Sequence, residues 1–183
     1  YTSLTGASGL FAAINAGGLS GNTVATIIDA SVTETGATAL NQINYGCSGA
    51  VTLTIKPQTT ATLTGSVASG ALIKLNGADN VIFDGSNSGG TDRSLTITNS
   101  NTTAACGIWV ASLGTGAGAT NNTIKNCNIT TGAATTATAY GISVSGATIG
   151  SAGADNDNIT IQNNAISSAN TGVYANGSAA TST

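Results

Sequence analysis

Residues 121–127 read Asn-Asn-Thr-Ile-Lys-Asn-Cys, and two other parts of the chain repeat this pattern. Residues 79–85 read Asp-Asn-Val-Ile-Phe-Asp-Gly, and residues 158–164 read Asn-Ile-Thr-Ile-Gln-Asn-Asn. Aligned without gaps, the three segments share one column of isoleucine and one column of Asp or Asn. The isoleucine column holds Ile82, Ile124 and Ile161, and the polar column holds Asp84, Asn126 and Asn163.

A second family of strand-like segments alternates with the first. Residues 107–110, 141–144 and 172–175 each begin with Gly followed by Ile or Val, and residues 71–75 resemble them. Spacings within the two families run from 31 to 42 residues. Two strand families that alternate at such a period predict an all-β solenoid, in which each strand pairs with its equivalent one coil away. The isoleucines then stack inside the tube, while Asn at the bends forms a hydrogen-bonded ladder and tolerates left-handed backbone.

The rest of the chain predicts one domain over residues 1–183. Residues 8–17 predict a short helix with Ser8 as its N-cap, and residues 23–183 predict coils. The last residues, 179–183, follow a strand-like unit, and neither a helix nor charged residues cover it. We therefore expect the chain to be a segment of a longer protein, or another subunit to dock at this end.

These segments resemble the right-handed parallel β-helix (pectate-lyase-like) superfamily. Residues 121–129 are close to the usual repeat sequence of that superfamily. With the opening at residues 10–17 and the stretch at 72–85, the chain is similar to the β-helix regions of large secreted or surface proteins of gliding, type IX-secreting bacteria. The resemblance covers nearly the whole chain. It implies that the N-terminal helix caps the cylinder, and it leaves the function open because this fold hosts enzymes, adhesins and fibres.

The composition excludes several classes of partner. Only 6% of the 183 residues are charged, and four Lys and Arg with a net charge of −3 cannot neutralise a nucleic-acid backbone. No run of about 18 apolar residues is present, which excludes a membrane-spanning helix. The richness in Thr, Ser, Asn and Gly favours an extracellular or cell-surface location.

The cysteines and acids offer little catalytic chemistry. Cys47, Cys106 and Cys127 form no CxxC pair, so we interpret them as small core residues, with one disulfide as the alternative. The chain has no His, and its single acid–base cluster is Asp92-Arg93, with Asp79 and Asp84 upstream. We interpret this cluster as a solvated loop, and so predict no catalytic residues and no enzyme.

One loop holds a candidate calcium site. Asp155 and Asp157 lie in a Gly-Ala-Asp-Asn-Asp-Asn stretch, and paired carboxylates with Asn carbonyls are donors that calcium accepts. An Asx turn is the alternative interpretation of the same residues. We predict no other cofactor.

Outward positions of the second family supply a candidate binding site. If Ile73, Ile108, Ile142 and Val173 point inward, Lys74, Trp109, Ser143 and Tyr174 form one outward column. Trp109 and Tyr174, with Lys74, would then offer a stacking platform for sugar rings.

The threonines offer another hypothesis. The Thr-x-Thr pairs at 52/54, 62/64 and 96/98 suggest an ice-binding surface, but they lie far apart in the sequence and do not recur in every predicted coil. We therefore predict a non-catalytic structural or adhesive module that self-associates. A polysaccharide-binding or polysaccharide-cleaving β-helix is the alternative, and an ice-binding solenoid is the third hypothesis.

Overall fold

The computed structural model describes residues 1–46, 49–132 and 134–178. It contains one helix near the N-terminus, followed by fifteen short strands. The elements are α1 (Leu10–Gly17), β1 (Thr23–Ile27), β2 (Ser31–Thr33), β3 (Leu40–Asn41), β4 (Leu53–Pro57), β5 (Ala61–Gly65), β6 (Ala71–Asn76), β7 (Val81–Asp84), β8 (Leu95–Asn99), β9 (Cys106–Ala111), β10 (Thr123–Lys125), β11 (Cys127–Thr131), β12 (Tyr140–Ser145), β13 (Thr160–Gln162), β14 (Ala165–Ser167) and β15 (Thr171–Ala175).

The predicted solenoid is confirmed by the strand pairing. Sheet A has the order β1-β4-β7-β10-β13, sheet B the order β2-β5-β8-β11-β14, and sheet C the order β3-β6-β9-β12-β15. All of these pairings are parallel, and each strand pairs with the strand three places along the chain. One strand from each sheet makes a coil, and five coils stack into the tube.

The core is a set of apolar columns that run through the coils. Strands such as β8 alternate buried and half-buried residues, which is the period-2 pattern of a sheet with one face inside. The inward columns are Ala25, Ile55, Phe83, Ile124 and Ile161 in sheet A, Val32, Leu63, Ile97, Ile129 and Ile166 in sheet B, and Ile73, Ile108, Ile142 and Val173 in sheet C. Full burial of one such side chain contributes about 1.5–3 kcal/mol, so the columns are the main source of stability.

The predicted isoleucine column is right for two members and wrong for the third. Ile124 pairs with Ile161, but on its other side it pairs with Phe83. Ile82 instead pairs with Thr123 and points out of the tube, where it is half-buried. The first repeat is therefore displaced by one residue from the gap-free alignment.

The polar ladder is present at the bend between sheets A and B. Asn126 Nδ2 donates to Asp84 Oδ1 over 2.8 Å, and Asn163 Nδ2 donates to Asn126 Oδ1 over 2.8 Å. Asn126 and Asn163 have positive φ angles of 57° and 51°, as expected for bend asparagines. Asp84 reaches the ladder from the end of β7, where it pairs with Lys125 rather than with Asn126.

Gly85 occupies the position in the third coil at which the later coils have Asn126 and Asn163. A Cβ at Gly85 would overlap the backbone carbonyl of Asn126 in the next coil. The position therefore needs a residue without a side chain, which is the physical reason why the third coil has Gly where the later coils have Asn.

The helix closes the first coil. Phe11 and Ile14 are buried and belong to the same apolar cluster as Leu40 of β3. The helix begins at Leu10 with Gly9 as N-cap, so the prediction of Ser8 as the cap is wrong. It ends as expected, because Gly18 has a φ of 70° and donates its N–H to Ile14.

Two sequence predictions fall outside the described residues. The expected docking of another subunit at residues 179–183 concerns a part of the chain that the structure does not describe, and so does the state of Cys47. Among the described ranges, no helix has the length and apolar character needed to cross a membrane.

Candidate functional site

The three outer faces of the tube differ in chemistry. Sheet A carries Lys56, Asp84 and Lys125 in one outward column, and Asp84 and Lys125 form an ion pair of 3.1 Å. Sheet C carries an apolar cluster on its outside. Sheet B carries short hydroxyl side chains and no charge. Each face is therefore a separate candidate site.

The predicted outward column on sheet C is correct in register. Lys74 pairs with Trp109, Trp109 pairs with Ser143, and Ser143 pairs with Tyr174. Because every strand in the sheet is parallel and in phase, these four side chains project from the same side of the sheet. The inward column of Ile73, Ile108, Ile142 and Val173 is also correct.

The prediction that this column forms an open stacking platform is wrong. Trp109 is only 7% exposed and Ser143 is fully buried. Trp109 packs in an outer apolar cluster with Cys106, Ala111 and Tyr140, and Ile149 packs against that cluster. A sugar ring could not reach the indole face without displacing these groups.

The loop after β12 is what closes this face. Tyr174 stacks on Tyr140 with ring centroids 4.6 Å apart, and its hydroxyl donates to the carbonyl of Gly150. Asn176 Nδ2 donates to the same carbonyl over 3.0 Å. The loop thus covers the indole of Trp109, and polysaccharide binding stays a prediction.

Lys74 lies over the indole ring of Trp109. Its Nζ lies 4.0 Å from the ring centroid of Trp109, a cation–π distance, and burial lowers the pKa of the Lys74 ammonium below its ordinary value. Among the described residues, the Trp109 Nε1–H is buried without an acceptor. The side chains of this column therefore pack together on the outside of sheet C.

Asp92 and Arg93 of the candidate acid–base cluster contact different parts of the protein. Asp92 accepts hydrogen bonds from the hydroxyls of Ser86, Ser88 and Ser94, at 2.5 Å for Ser86 and 2.7 Å for Ser94. Arg93 instead reaches two coils along and donates to Asn163 over 2.9 Å. The two side chains serve separate structural contacts, in agreement with the loop interpretation.

Asp79 is also engaged in a structural contact. Its Oδ1 accepts the N–H of Thr120 over 2.6 Å and the hydroxyl of Thr120 over 2.8 Å, which joins two coils.

The aspartate contacts predict how stability depends on pH. The hydroxyls of Ser86, Ser88 and Ser94 hold the pKa of Asp92 below its ordinary value. Burial opposes ionisation of Asp84, but Asn126, the Ser86 N–H and Lys125 together hold its pKa below the ordinary value. A carboxyl whose pKa is lower in the folded state stabilises the fold above its unfolded pKa of about 3.9, and that stability is lost as the pH falls through the folded value.

We therefore expect a constant melting temperature between about pH 7 and pH 5 and a fall below about pH 4. Asp92→Asn should melt below the wild type at neutral pH, and the difference should shrink in acid, where the native carboxyl is protonated too. Circular-dichroism melts across this range measure both effects. An equal difference at all pH values would contradict the ionic role of Asp92.

The calcium candidates make contacts within the protein. Asp155, with a φ of 57°, accepts the N–H of Gly116 over 2.5 Å, and Asn156 accepts the N–H of Ala119 over 2.9 Å. These bonds tie the loop after β12 to the preceding coil. In the described ranges, no group of three or more His, Cys, Asp or Glu side chains could hold a metal ion. Calcium binding by Asp155 and Asp157 stays a prediction.

Two of the cysteines are small core residues, as interpreted from the sequence. Cys106 and Cys127 are buried as free thiols. Burial raises the pKa of both thiols, that of Cys127 to about 12, so neither is a ready nucleophile.

Sheet B carries a regular polar surface on its outside. Its two outward columns run through all five coils, and we call them together the hydroxyl face. One column is Ser31, Thr62, Thr96, Asn128 and Ala165, and the other is Thr33, Thr64, Thr98, Thr130 and Ser167. Eight of these ten side chains are hydroxyls, and all ten are half-exposed or exposed.

The sequence contains this face as a set of positions that recur from coil to coil, and the residue type at these positions varies. The hydroxyl positions recur at the same place in each coil, but the residue varies between Ser, Thr, Asn and Ala, so a search for identical Thr-x-Thr pairs missed the outer coils. It also admitted a pair from another surface, since Thr54 lies on sheet A between Val24 and Ile82. The expectation that Thr-x-Thr pairs do not recur in every coil is confirmed, since sheet B has them in the second and third coils and has Ser, Asn or Ala at one or both positions in the other three.

Comparisons with protein-family models, with curated proteins and with solved structures found no match to this chain. The strand pairing defines the chain as a parallel β-solenoid, and its outer surfaces are the features that bear on its function.

Proposed function

We propose that this chain is a non-catalytic structural and adhesive module of a secreted or cell-surface protein, and that its fifth coil pairs with further β-structure, either a second copy of the chain or further coils of the same protein. One observation carries the proposal, namely the contrast between the two ends of the tube. At the first coil, α1 buries Phe11 and Ile14 against the core. At the fifth coil, β13, β14 and β15 each pair on one edge only among the described residues.

The apolar columns are less covered at that end. Ile124, Ile129 and Ile142 of the fourth coil are fully buried. Their counterparts in the fifth coil, Ile161 and Ile166, are half-buried, and Val173 is 45% exposed. Unpaired parallel strand edges beside exposed apolar residues favour pairing with further β-structure.

Charge does not oppose such pairing. The three terminal strands contain no charged residue, and the whole chain carries a net charge of only −3. Little electrostatic repulsion therefore acts between two copies that meet through this surface. A stack of paired coils has every backbone group of its strands bonded, so the module would be stiff and would present its loops at fixed intervals.

Replacing Val173 with lysine tests self-association. We expect the wild-type chain to form dimers or larger species in a concentration-dependent way in sedimentation velocity, and Val173→Lys to sediment as a monomer, because a charge at the contact is costly to desolvate. Thr123→Lys adds the same charge to the side of the tube and serves as the matched control. A wild type that stays monomeric at its highest soluble concentration would contradict pairing with a second copy, as would association that Val173→Lys leaves unchanged.

A further inference from the structure

The hydroxyl face of sheet B has a geometry that no structural role requires. We propose that it binds ice, with the protein adsorbing to a growing crystal through the ten side chains of this face. This goes beyond the structural function proposed above, because a tube that only extends or assembles needs no ordered pattern on its side.

The first argument is spacing. The two columns are two residues apart along each strand, or about 6.6 Å, and neighbouring coils are about 4.8 Å apart. Backbone pairing through all five coils fixes both distances over the whole face. The coil spacing is close to the repeat of water oxygens along one axis of a prism face of ordinary ice, and the column spacing is somewhat shorter than the repeat along the other axis. A rigid array of this kind can hold a layer of water near the arrangement of the crystal.

The second argument is the state of the hydroxyls. In the described structure, the hydroxyls of Thr62, Thr64, Thr96 and Thr98 make no hydrogen bond to protein groups. On the fourth and fifth coils, the hydroxyls of Thr130 and Ser167 bond to each other over 3.0 Å, and Asn128 Nδ2 donates to the carbonyl of Arg93 over 3.0 Å. The hydrogen-bonding capacity of the four central threonines is therefore directed at water. The threonine methyl groups beside them limit the number of positions a bound water can take.

The third argument is charge and shape. The face has no charged residue, whereas sheet A has Lys56, Asp84 and Lys125, so adsorption requires no ion to lose its water. A continuous inward column of Val, Leu and Ile supports the face from below, and no described loop covers it as the loop after β12 covers sheet C. The surface is consequently open as well as regular.

The size of the array explains why regularity matters. One hydroxyl–water bond has a net value of only about 0.5–1.5 kcal/mol, and fixing a water costs up to about 2 kcal/mol. A single threonine cannot hold ice. Many positions that bind one lattice together behave as a multivalent ligand, and the bound protein then leaves very slowly.

The test is thermal hysteresis and ice adsorption of the full chain, with two matched substitutions. Thr98 is on the central strand of the hydroxyl face and Thr54 is on the second of the five strands of sheet A, and both are half-buried outward threonines. We expect the wild type to lower the freezing point below the melting point and to concentrate in a slowly grown ice hemisphere. Thr98→Tyr should lose most of both effects because the ring interrupts the lattice, and Thr54→Tyr should keep them. Circular dichroism establishes that both variants fold.

Three outcomes would overturn the proposal. The first is a folded wild type that neither shows hysteresis nor adsorbs to ice, and the second is equal activity of the two variants. The third is binding to insoluble cellulose or chitin that Thr98→Tyr abolishes, with no ice adsorption, which would assign the face to a polysaccharide surface. Self-association can fail in its own experiment without affecting any of these results.

Discussion

Replacing Phe83 with alanine should lower the free energy of unfolding by about 3–5 kcal/mol, the usual loss for a fully buried phenylalanine. Phe83 has no solvent exposure and occupies the inward column between Ile55 and Ile124. The cavity would lie in the third of five coils, where both neighbouring coils are held in place by backbone pairing and can collapse only partly. The loss should therefore be near the upper end of that range.

The adjacent residue supplies the control. Ile82→Ala removes an outward, half-buried side chain and should cost about 1 kcal/mol or less. Urea unfolding followed by circular dichroism gives both values. The fluorescence of the single tryptophan, which lies in the same coil as Phe83, shows whether this coil unfolds together with the rest of the tube. A larger loss for Ile82→Ala than for Phe83→Ala would mean that the register of β7 is displaced by one residue.

That register also shows how far the sequence could be followed. The segments at 121–127 and 158–164 align without gaps, and the structure pairs them in that way. The segment at 79–85 does not, because Val81, Ile82 and Phe83 are all apolar and period-2 alternation then gives no phase. The phase is set instead by the bends, where Asn80 takes the positive φ that Asn121 takes in the next coil.

The candidate site was harder to predict than the fold, for a related reason. Which residues share a column follows from the repeat, and the order Lys74, Trp109, Ser143 and Tyr174 was predicted correctly. Whether a column is open to solvent depends on the loops between strands, which follow no repeat. The loop after β12 covers Trp109, and the sequences of the strands do not predict this.

The hydroxyl face could not be predicted from any single coil. Its columns become visible only after the register of all five coils is fixed, because no coil on its own is distinctive. Ser31 and Thr33 or Ala165 and Ser167 are ordinary surface residues until they are aligned with Thr96 and Thr98. Sites of this kind are properties of the stack, and a search by local motif misses them.

Glu34, the single glutamate of the chain, should prove the most sensitive position at the capped end of the tube. Its side chain is 2% exposed, and its carboxylate accepts the N–H of Leu4 over 2.7 Å and the N–H and hydroxyl of Thr5 over 2.7 and 2.6 Å. Among the described residues its charge has no cationic partner, since the ion pair found there is that of Asp84 with Lys125. The N–H groups of Leu4 and Thr5 and the hydroxyl of Thr5 therefore stabilise this charge.

Glu34→Ala would leave two buried N–H groups and a hydroxyl without their acceptor, at about 1–3 kcal/mol for each group. Since the segment before α1 is held by these bonds, we expect it and the helix to open locally, with a loss of roughly 3 kcal/mol or more in the exchange free energy of the Leu4 and Thr5 amides. Hydrogen exchange followed by NMR measures this loss. Glu34→Gln keeps one carbonyl acceptor and should give a smaller loss, and Asp157→Ala, at an exposed position, should give none. Unchanged protection of Leu4 and Thr5 in Glu34→Ala would show that the packing of Phe11 and Ile14 alone holds the cap.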